Sequence, residues 1–315
     1  IRTEYVHSFV GGCMKRVMIT GATGAIGRAL IEECVRHEVE VFVLCNPNSG
    51  RNQELYQIPQ IHCFDCSLSE IAGWKQNGLQ IDCFYHLAWQ GTVGDARNNT
   101  QIQEANIKYS LDAVELADRL GCKTFIGIGS QAEYGCKSEK LTPDLPCNPE
   151  TGYGIAKWSA GYLTKLRAKQ LGMNHSWVRI LSVYGPHDQT ASMVMTCINC
   201  LLNHESPAMT KGEQRWDYLY SKDAARALYL LGEKETNGCY CLGSGHTRLL
   251  SEYVACIQNA VGNGVKADIG AIPYRQNQIM YLCADIQKLT DEVGFIPQYS
   301  FEQGIQETVE WVKRG

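Results

Sequence analysis

The stretch from residue 15 to residue 30, KRVMITGATGAIGRAL, constrains the fold more than any other part of the chain. The apolar run at residues 17–19 predicts a buried strand, Gly21, Gly24 and Gly27 predict a tight turn, and the following residues favour a helix. Glycine tolerates positive φ and lets a ligand approach the backbone, while the unpaired N–H groups of a helix N-terminus attract a pyrophosphate. This order of strand, turn and helix therefore predicts a dinucleotide-binding unit.

Further strands and helices alternate along the chain. Continuous apolar runs bounded by turn residues predict parallel strands covered on both faces, and periodic apolar positions predict the helices between them. We expect strands in residues 39–45, 60–68, 81–89, 123–130 and 174–186, and long helices over 100–120 and 153–171. The predicted fold class is α/β, a doubly wound parallel sheet of the Rossmann type with a smaller C-terminal substrate-binding α/β subdomain.

The rhythm of elements changes after the sixth strand, which sets the predicted domain boundary. Residues 14–186 are expected to form mainly the dinucleotide-binding domain. Residues 187–315 are expected to form mainly the substrate-binding subdomain, with about 214–245 returning to the main sheet. Residues 1–13 carry no clear periodic pattern, so we interpret them as a leader or tag-like extension outside the fold.

Charge and hydropathy exclude several classes of partner. Lysine and arginine number 29 against 33 aspartate and glutamate, a net charge of −4 without long runs of one sign, so nucleic acid and anionic membrane are poor partners. The apolar runs are shorter than the roughly 20 residues of a membrane span, and the chain start lacks the pattern of a signal peptide. The sequence therefore predicts a cytoplasmic protein without a nucleic-acid or membrane partner.

Fifteen cysteines are present, and most lie in apolar stretches, where they are expected to be small buried side chains with free thiols. Two CxxC spacings occur, Cys63 with Cys66 and Cys197 with Cys200, but about 0.7 such pairs are expected by chance at this cysteine content. The first pair lies at a predicted strand end and the second inside an amphipathic helix. We therefore predict no metal site.

A tyrosine and a lysine four residues apart carry the predicted chemistry. Tyr153 and Lys157, in YGIAK, share one face of a predicted helix, and a nearby cation lowers the pKa of a phenol toward a range where it exchanges protons with a substrate hydroxyl. Ser130 ends the predicted fifth strand, where parallel strands border the ligand crevice. The pair alone is compatible with an ordinary surface contact, but its place after the glycine turn and Ser130 favours a redox site beside the dinucleotide.

Seven segments follow one another in a specific order: TGATGAIG, YHLAW, GSQAEYG, YGIAK, RILSVYGP, GEQRWDYLYSKDAARAL and CADIQKLTDEVGFIPQYSFEQGIQETVEW. In this order they resemble the extended short-chain dehydrogenase/reductases, the NAD-dependent epimerase/dehydratase family of nucleotide-sugar enzymes. The resemblance implies that Ser130, Tyr153 and Lys157 are catalytic.

The resemblance also predicts which residues bind the cofactor and the substrate. The cofactor is expected at Gly21, Thr23, Gly24, Ala25, Ile26, Gly27, Asn46, Arg51, Asp65, Cys66, Leu87, Ala88, Asn106, Tyr153 and Lys157. The nucleotide-sugar substrate is expected at Gln131, Trp89, Ser192, Met193, Arg215 and Arg275.

The chain departs from the family pattern where the second strand ends. A carboxylate that would hold the adenosine ribose hydroxyls of NAD is replaced by Cys45, and Arg28 and Arg51 are nearby in the sequence. Cations without an acid favour NADP, whose extra phosphate needs positive charge. NAD stays the alternative, because both arginines are also compatible with solvated surface charges.

Two further departures concern the reaction and the substrate. A dehydratase of the family is expected to carry an Asp-Glu pair directly after the catalytic Ser or Thr, and here Gln131 and Ala132 stand there, which argues against elimination of water. The arginine expected to meet the nucleotide diphosphate is replaced by Trp216, so Arg215 or Arg275 is expected to take that phosphate. Trp216 itself is also compatible with a place in the core.

The leading hypothesis is reduction of a 4-keto nucleotide sugar, in which the nicotinamide delivers a hydride, Tyr153 donates the proton, Lys157 holds the phenol and the ribose, and Ser130 bonds the carbonyl oxygen. The first alternative is a nucleotide-sugar C4 epimerase with tightly bound NAD. The second is a non-catalytic NAD(P)-binding sensor, which fits less well because Tyr153 and Lys157 are both present.

The resemblance further implies a homodimer. The predicted helices over 100–120 and 153–171 are similar to those with which family members form a four-helix interface. Leu111, Val114 and Leu163 are the expected contacts, with packing against the sheet as the alternative.

Overall fold

The structure is a computed structural model that describes residues 14–276 and 278–314. The extension predicted for residues 1–13 lies outside the described residues. The strands, numbered in chain order, are β1 Arg16–Thr20, β2 Glu40–Cys45, β3 Ile61–Asp65, β4 Cys83–His86, β5 Thr124–Ser130, β6 Asn174–Ile180, β7 Ser182–Tyr184, β8 Ala208–Met209, β9 Arg215–Trp216, β10 Tyr218–Tyr220, β11 Gly238–Leu242, β12 Arg248–Leu249 and β13 Asp268–Ile269.

The helices alternate with the main strands. They are α1 Ala25–Arg36, α2 Asn52–Tyr56, α3 Thr100–Arg119, α4 Gly152–Gln170, α5 Met193–Leu202, α6 Ser221–Glu233, α7 Leu250–Val261, α8 Gln287–Val293 and α9 Phe301–Lys313. Short 3₁₀ turns lie at Leu68–Gly73, Gly94–Asn98 and Gln131–Glu133. Within the described residues, none of the helices has both the length and the apolar character needed to cross a bilayer.

Seven parallel strands form the central sheet in the order β3-β2-β1-β4-β5-β6-β11. The order reverses between β1 and β4, and the carboxyl ends of these strands therefore border the crevice in which such sheets bind ligands. β5 is buried along its whole length, as expected for an inner strand covered on both faces. The predicted α/β class and doubly wound parallel sheet are confirmed.

Helices cover both faces of the sheet. Leu30 of α1 and Leu228 of α6 share one apolar core with β1 and β2, while Val114 of α3 and Ala168 of α4 share the other with Phe84. Val114 is fully buried against the sheet, so its predicted place in a dimer contact is wrong and the stated alternative of sheet packing holds. The α3 helix presents this apolar stripe inward because its small and aliphatic residues recur at helical spacing.

A separate apolar core lies in the C-terminal part of the chain. Ile198 of α5, Val254 of α7 and Ile305 of α9 pack together there with Tyr184 and Phe301. This core builds the smaller subdomain, while β11 returns to pair with β6 in the main sheet. The boundary at about residue 186 stays a prediction.

A tryptophan wedge joins α4 to the sheet. Trp177 of β6 is buried, and its Cα pairs with that of Gly127 on β5. A Cβ on Gly127 would lie 2.5 Å from the indole, and a Cβ on Gly161 of α4 would lie 2.7 Å from the same ring. The indole therefore fills the space that both glycines leave, and this close approach fixes the distance between α4 and β5.

We expect Gly127→Ala to destabilise the fold by about 1–3 kcal/mol, because the added methyl group would overlap a buried ring that cannot move aside. The measurement is the free energy of unfolding from urea denaturation. Gly73→Ala is the matched control, because a Cβ on Gly73 meets no atom within 4 Å. Equal unfolding free energies for the two variants would contradict the close packing of the Trp177 indole against Gly127.

Candidate active site

A cleft of about 820 Å³ opens at the carboxyl ends of β1, β2 and β4, where the strand order reverses. A second cavity of about 210 Å³ adjoins it and shares Gly21, Gly24 and Leu87 with it. Together they form one groove over the glycine turn, which we call the switch-point cleft. Open parallel sheets bind their ligands at such a place.

The turn between β1 and α1 requires glycine at two positions for steric reasons. Gly21 has a φ of +75°, and a Cβ there would lie 2.6 Å from the backbone nitrogen of Ala88. A Cβ on Gly27 would lie 2.4 Å from the carbonyl oxygen of Gly21. The turn therefore packs directly on the chain that follows β4, and α1 begins close beside it with its N-terminus toward the cleft.

Most of the residues predicted at the cofactor border this cleft: Gly21, Thr23, Gly24, Ala25, Ile26, Gly27, Asn46, Arg51, Cys66, Leu87 and Ala88. Asp65 lies outside it, is exposed and accepts a hydrogen bond of 2.7 Å from the Tyr56 hydroxyl. Asn106 is buried, and its side chain bonds the backbone N–H and carbonyl of Gln90. Asn106 therefore holds the loop after β4 and does not line the cleft.

Charged side chains gather near the end of β2, where Cys45 borders the cleft. Glu54 of α2 places Oε2 3.5 Å from a guanidinium nitrogen of Arg28 and 3.4 Å from Nδ1 of His187. Nη1 of Arg28 is buried and has no hydrogen-bond partner among the described residues. An orphaned donor beside a helix N-terminus fits an anionic ligand, so the residues present suit the phosphates of a dinucleotide.

Ser130, Tyr153 and Lys157 come together beside Trp89, which borders this cleft, while these three residues do not themselves line it. Ser130 ends β5, and Thr151 caps α4 by accepting a hydrogen bond from Gly154, which places Tyr153 and Lys157 in the first turns of that helix. The Tyr153 hydroxyl is in polar contact with the Ser130 side chain. Nζ of Lys157 lies 5.8 Å from the centre of the Tyr153 ring.

Lys157 is almost completely buried. Its Nζ donates a hydrogen bond of 2.6 Å to the carbonyl oxygen of Ile128 and lies 3.8 Å from the centre of the Trp89 ring. Burial lowers the pKa of Lys157 to about 7, and the negative charge of Glu133 works in the opposite direction. His86 beside it, hydrogen-bonded to Thr20 and Ser110, has its pKa lowered to about 3 mainly by burial and is therefore neutral.

Tyr153 has an environment that the sequence motifs did not reveal. The guanidinium carbon of Arg97 lies 4.2 Å from the centre of the Tyr153 ring, and the Arg97 side chain donates to the carbonyl of Thr92. Burial raises the pKa of Tyr153, while the Ser130 contact and the Arg97 charge lower it and the charge of Glu133 raises it. Arg97 is therefore a cation that faces the phenol directly.

Sequence reasoning missed both Arg97 and Glu133. The motif SQAE has the spacing of a capping box, in which a Ser and a Glu three residues later satisfy each other's backbone groups, and Glu133 does accept a hydrogen bond from the Ser130 N–H. That signal was available in the sequence. Arg97 lies in the 3₁₀ turn Gly94–Asn98, and its meeting with Tyr153 depends on tertiary structure alone.

The predicted substrate residues are divided between two places. Trp89 borders the cleft, and its indole nitrogen donates to the buried side chain of Gln103, while Gln131 is half-buried directly after Ser130. Ser192 caps α5 and donates to Asp188, which itself borders the cleft. The others lie away from the cleft: Met193, half-buried against the C-terminal core, and the exposed Arg215 and Arg275.

The structure also places Trp216 and the cysteines of the described residues. Trp216 is half-buried, and its indole nitrogen donates to the Ser182 hydroxyl at 2.8 Å, so it packs as part of the subdomain core. The cysteines of the described part of the chain are free thiols. Residues 14–276 and 278–314 contain no cluster of three or more His, Cys, Asp or Glu side chains that could hold a metal ion.

The structure brings together the three side chains that the sequence predicted for proton transfer beside a dinucleotide. A groove over a glycine turn suits a dinucleotide, and a phenol flanked by a serine and by cations can exchange a proton with a substrate hydroxyl. The fold and the grouping of these side chains are those predicted from the resemblance to the extended short-chain dehydrogenase/reductases.

A comparison of the chain with family models identifies its family. The model of the NAD dependent epimerase/dehydratase family matches residues 17–243, and the chain belongs to this family.

Known relatives cover nearly the whole chain at low identity. A putative UDP-glucose 4-epimerase from Methanocaldococcus jannaschii is 22% identical over 304 residues, which are 94% of this chain and 98% of that protein. The dTDP-glucose 4,6-dehydratase of Escherichia coli is 24% identical over 343 residues, which are 94% of this chain and 93% of that protein.

Solved structures confirm the fold. UDP-N-acetylglucosamine 4-epimerase from Methanobrevibacter ruminantium, in complex with UDP-N-acetylmuramic acid, matches with a TM-score of 0.86 at 24% identity over 96% of this chain and 99% of that one. UDP-glucuronic acid 4-epimerase from Bacillus cereus, in complex with NAD, matches with a TM-score of 0.81 at 20% identity over 95% and 99%.

The burial of Lys157 leads to a prediction about the stability of the fold that can be tested without an activity assay. Its pKa is about 7 in the folded state against 10.5 for the ordinary side chain, so between these values the unfolded state binds more protons and stability rises with pH. We expect Lys157→Met to remove a slope of up to about 1.4 kcal/mol per pH unit from the unfolding free energy between pH 7 and pH 10.

The measurement is urea denaturation of both proteins at several pH values. Lys169→Met, an exposed lysine of the same helix, is the control and should keep the wild-type slope. Parallel curves for wild type and Lys157→Met would show that Lys157 is not perturbed by burial.

Proposed function

We propose that the protein is a nucleotide-sugar 4-epimerase that works with a bound NAD. The observation that carries the proposal is the convergence of Ser130, Tyr153 and Lys157 beside Trp89, a residue that borders the switch-point cleft together with the glycine turn. The names of the relatives support the choice, because the M. jannaschii protein and the two structural neighbours described above are 4-epimerases.

The chain's own residues would act on the sugar as follows. Tyr153 takes the proton of the C4 hydroxyl, and the Ser130 hydroxyl holds the same oxygen by a hydrogen bond. The charges of Lys157 and Arg97 favour the phenolate form of Tyr153, which accepts this proton and becomes the phenol. When bound, NAD supplies a hydride acceptor that also returns the hydride. Tyr153 then gives the proton back to the oxygen after the sugar has presented its other face.

We propose NAD in preference to the NADP favoured by the sequence. The prediction of NADP assumed that Arg28 and Arg51 are available for an extra phosphate. Arg28 and His187 instead share the carboxylate of Glu54, which opposes a second anion there. The family description and the NAD of the B. cereus neighbour support the same choice.

Reduction of a 4-keto nucleotide sugar is the second candidate. It uses the same three side chains, and Cys45 at the end of β2 favours it, because the position lacks the acid that holds NAD tightly. Dehydration has less support, because Gln131 and Ala132 follow Ser130. A non-catalytic sensor also has less support, because cofactor binding alone does not require the buried Lys157 beside Tyr153.

The test is incubation of the purified protein with UDP-glucose, UDP-glucuronic acid and UDP-N-acetylglucosamine without added cofactor. We expect the C4 epimer of one of them, measured by chromatography, and NAD released from the acid-precipitated protein. Tyr153→Phe should lower the rate by about 10²- to 10⁴-fold, whereas Tyr162→Phe, an exposed tyrosine on the same helix, should keep it.

Other outcomes would replace the proposal. A dependence on added NADPH with a 4-keto substrate would make the protein a reductase. Full turnover in Tyr153→Phe would remove the catalytic assignment, and cofactor binding without turnover on any nucleotide sugar would favour the sensor.

We further propose that the protein is a homodimer through α3 and α4. The outer face of α4 carries large apolar side chains that are 38% to 56% exposed at helical spacing: Ile155, Trp158, Tyr162, Leu163 and Leu166. Contiguous apolar surface of this kind marks a contact with another protein. α3 packs directly beside α4, with the Arg167–Glu115 ion pair across the seam.

We expect the double variant Tyr162→Glu/Leu166→Glu to be monomeric, because two charges cannot be buried without partners in an apolar interface. Light scattering after size-exclusion chromatography gives the mass directly. Ile296→Glu, which replaces another exposed apolar residue outside α4, should keep the wild-type mass. A monomeric wild type would overturn the dimer.

A further inference from the structure

A buried carboxylate lies beneath the predicted catalytic serine. Glu133 has no exposed surface, and its side chain accepts hydrogen bonds from the Ser130 N–H at 2.8 Å and the Trp177 indole N–H at 3.0 Å. Its second oxygen accepts a hydrogen bond of 2.7 Å from the guanidinium of Arg179. A buried charge is costly unless it is paired and hydrogen-bonded, and all three donors compensate this one.

The surrounding chain is shaped for this carboxylate. Gly129 precedes Ser130 in β5, and a Cβ on it would lie 2.4 Å from both the Glu133 oxygen and the Trp177 indole nitrogen. Arg179 stands opposite Gly129 on β6 and is itself buried. It also donates to the hydroxyl of Tyr134 and to a backbone carbonyl in the proline-rich loop before α4. The pair is thus built into the sheet, and side-chain rotation cannot release it.

The charge of Glu133 also acts on Lys157, whose pKa it raises against the effect of burial. The Lys157 amine is bonded to the carbonyl of Ile128 on β5, two residues before Ser130, so strand β5 links it to the turn that Glu133 caps. The other groups that face it are the neutral His86 and the ring of Trp89 from the β4 side, and Tyr153 on its own helix. Glu133 is therefore a buried anion whose charge acts on a buried amine.

We propose that Glu133 is a positioning residue that fixes the backbone of Ser130 and supplies the buried negative charge that keeps Lys157 cationic. The role rests on the proposed function, in which Lys157 must be an ammonium ion to favour the Tyr153 phenolate. Burial alone drives Lys157 toward the neutral amine at neutral pH, and Glu133 opposes this. Arg179 pairs with the carboxylate at 2.7 Å.

The test uses the pH at which the Lys157-dependent change in stability begins, because that pH is the folded-state pKa of Lys157. Urea denaturation between pH 5 and pH 10 is compared for wild type and Lys157→Met, and again for Glu133→Gln and Glu133→Gln/Lys157→Met. We expect the onset to fall by about 0.5 to 1 pH unit when Glu133 is neutral. A merely structural role would lower stability equally at every pH and leave the onset unchanged.

Two further variants keep the test decisive. Glu133→Asp retains the charge and should retain an onset near that of the wild type. Glu133→Gln leaves Arg179 without its anion, so Glu133→Gln/Arg179→Gln replaces it if the single variant fails to fold, and the lower onset should persist there. An onset equal to that of the wild type in the neutral variants would overturn the proposal.

The activity measurement separates this proposal from the proposed function. Where the wild type epimerises a nucleotide sugar, the alkaline limb of its pH–rate profile should move to lower pH in Glu133→Gln by the same amount as the onset. A wild type without activity on nucleotide sugars would remove the proposed function, while the denaturation experiment would still decide whether Glu133 acts on Lys157.

Discussion

The contact between the glycine turn and the chain after β4 determines where everything else in the site can lie. Gly21 touches the backbone of Ala88 so closely that no side chain fits between them. Backbone therefore meets backbone at the switch point, and the cleft floor is set by main-chain geometry. From this floor Trp89, one residue further on, reaches across to Tyr153 and Lys157. Ala88 and Trp89, two consecutive residues, therefore connect the glycine turn to the predicted catalytic side chains Tyr153 and Lys157.

The fold followed from the sequence because its signals are local. Each main strand is an apolar run, and each run had the length and bounding residues of a buried parallel strand. Several small elements were not predicted: α2 has five residues, and β8, β12 and β13 have two each, too few for any periodic pattern. Missing α2 had a consequence, because it carries Glu54, whose carboxylate lies 3.5 Å from Arg28, one of the two arginines on which the prediction of NADP rested.

The candidate site was predictable where motif residues are adjacent in sequence and not where charges meet through space. Ser130, Tyr153 and Lys157 followed from spacing and order. Arg97 meets the phenol of Tyr153 from the 3₁₀ turn before α3, and only the packed structure brings it there. The capping box in the sequence indicates that Glu133 bonds the Ser130 backbone, but it does not indicate the effect of Glu133 on the pKa of Lys157. Val114 shows the same limit, because a helix with apolar residues on several faces does not say which of them meets the sheet.

The hydrogen bond from Lys157 to the carbonyl of Ile128 has a consequence for how such a site changes over time. Its acceptor is part of the main chain, so substitution of residue 128 leaves the acceptor in place. Substitutions along β5 can therefore alter the packing and still leave the hydrogen bond that holds the Lys157 amine. The length of this hydrogen bond does depend on the position of β5, because a shift of the strand by a fraction of an ångström would lengthen the 2.6 Å bond. The position of the Lys157 amine is thereby tied to the position of β5 in the central sheet.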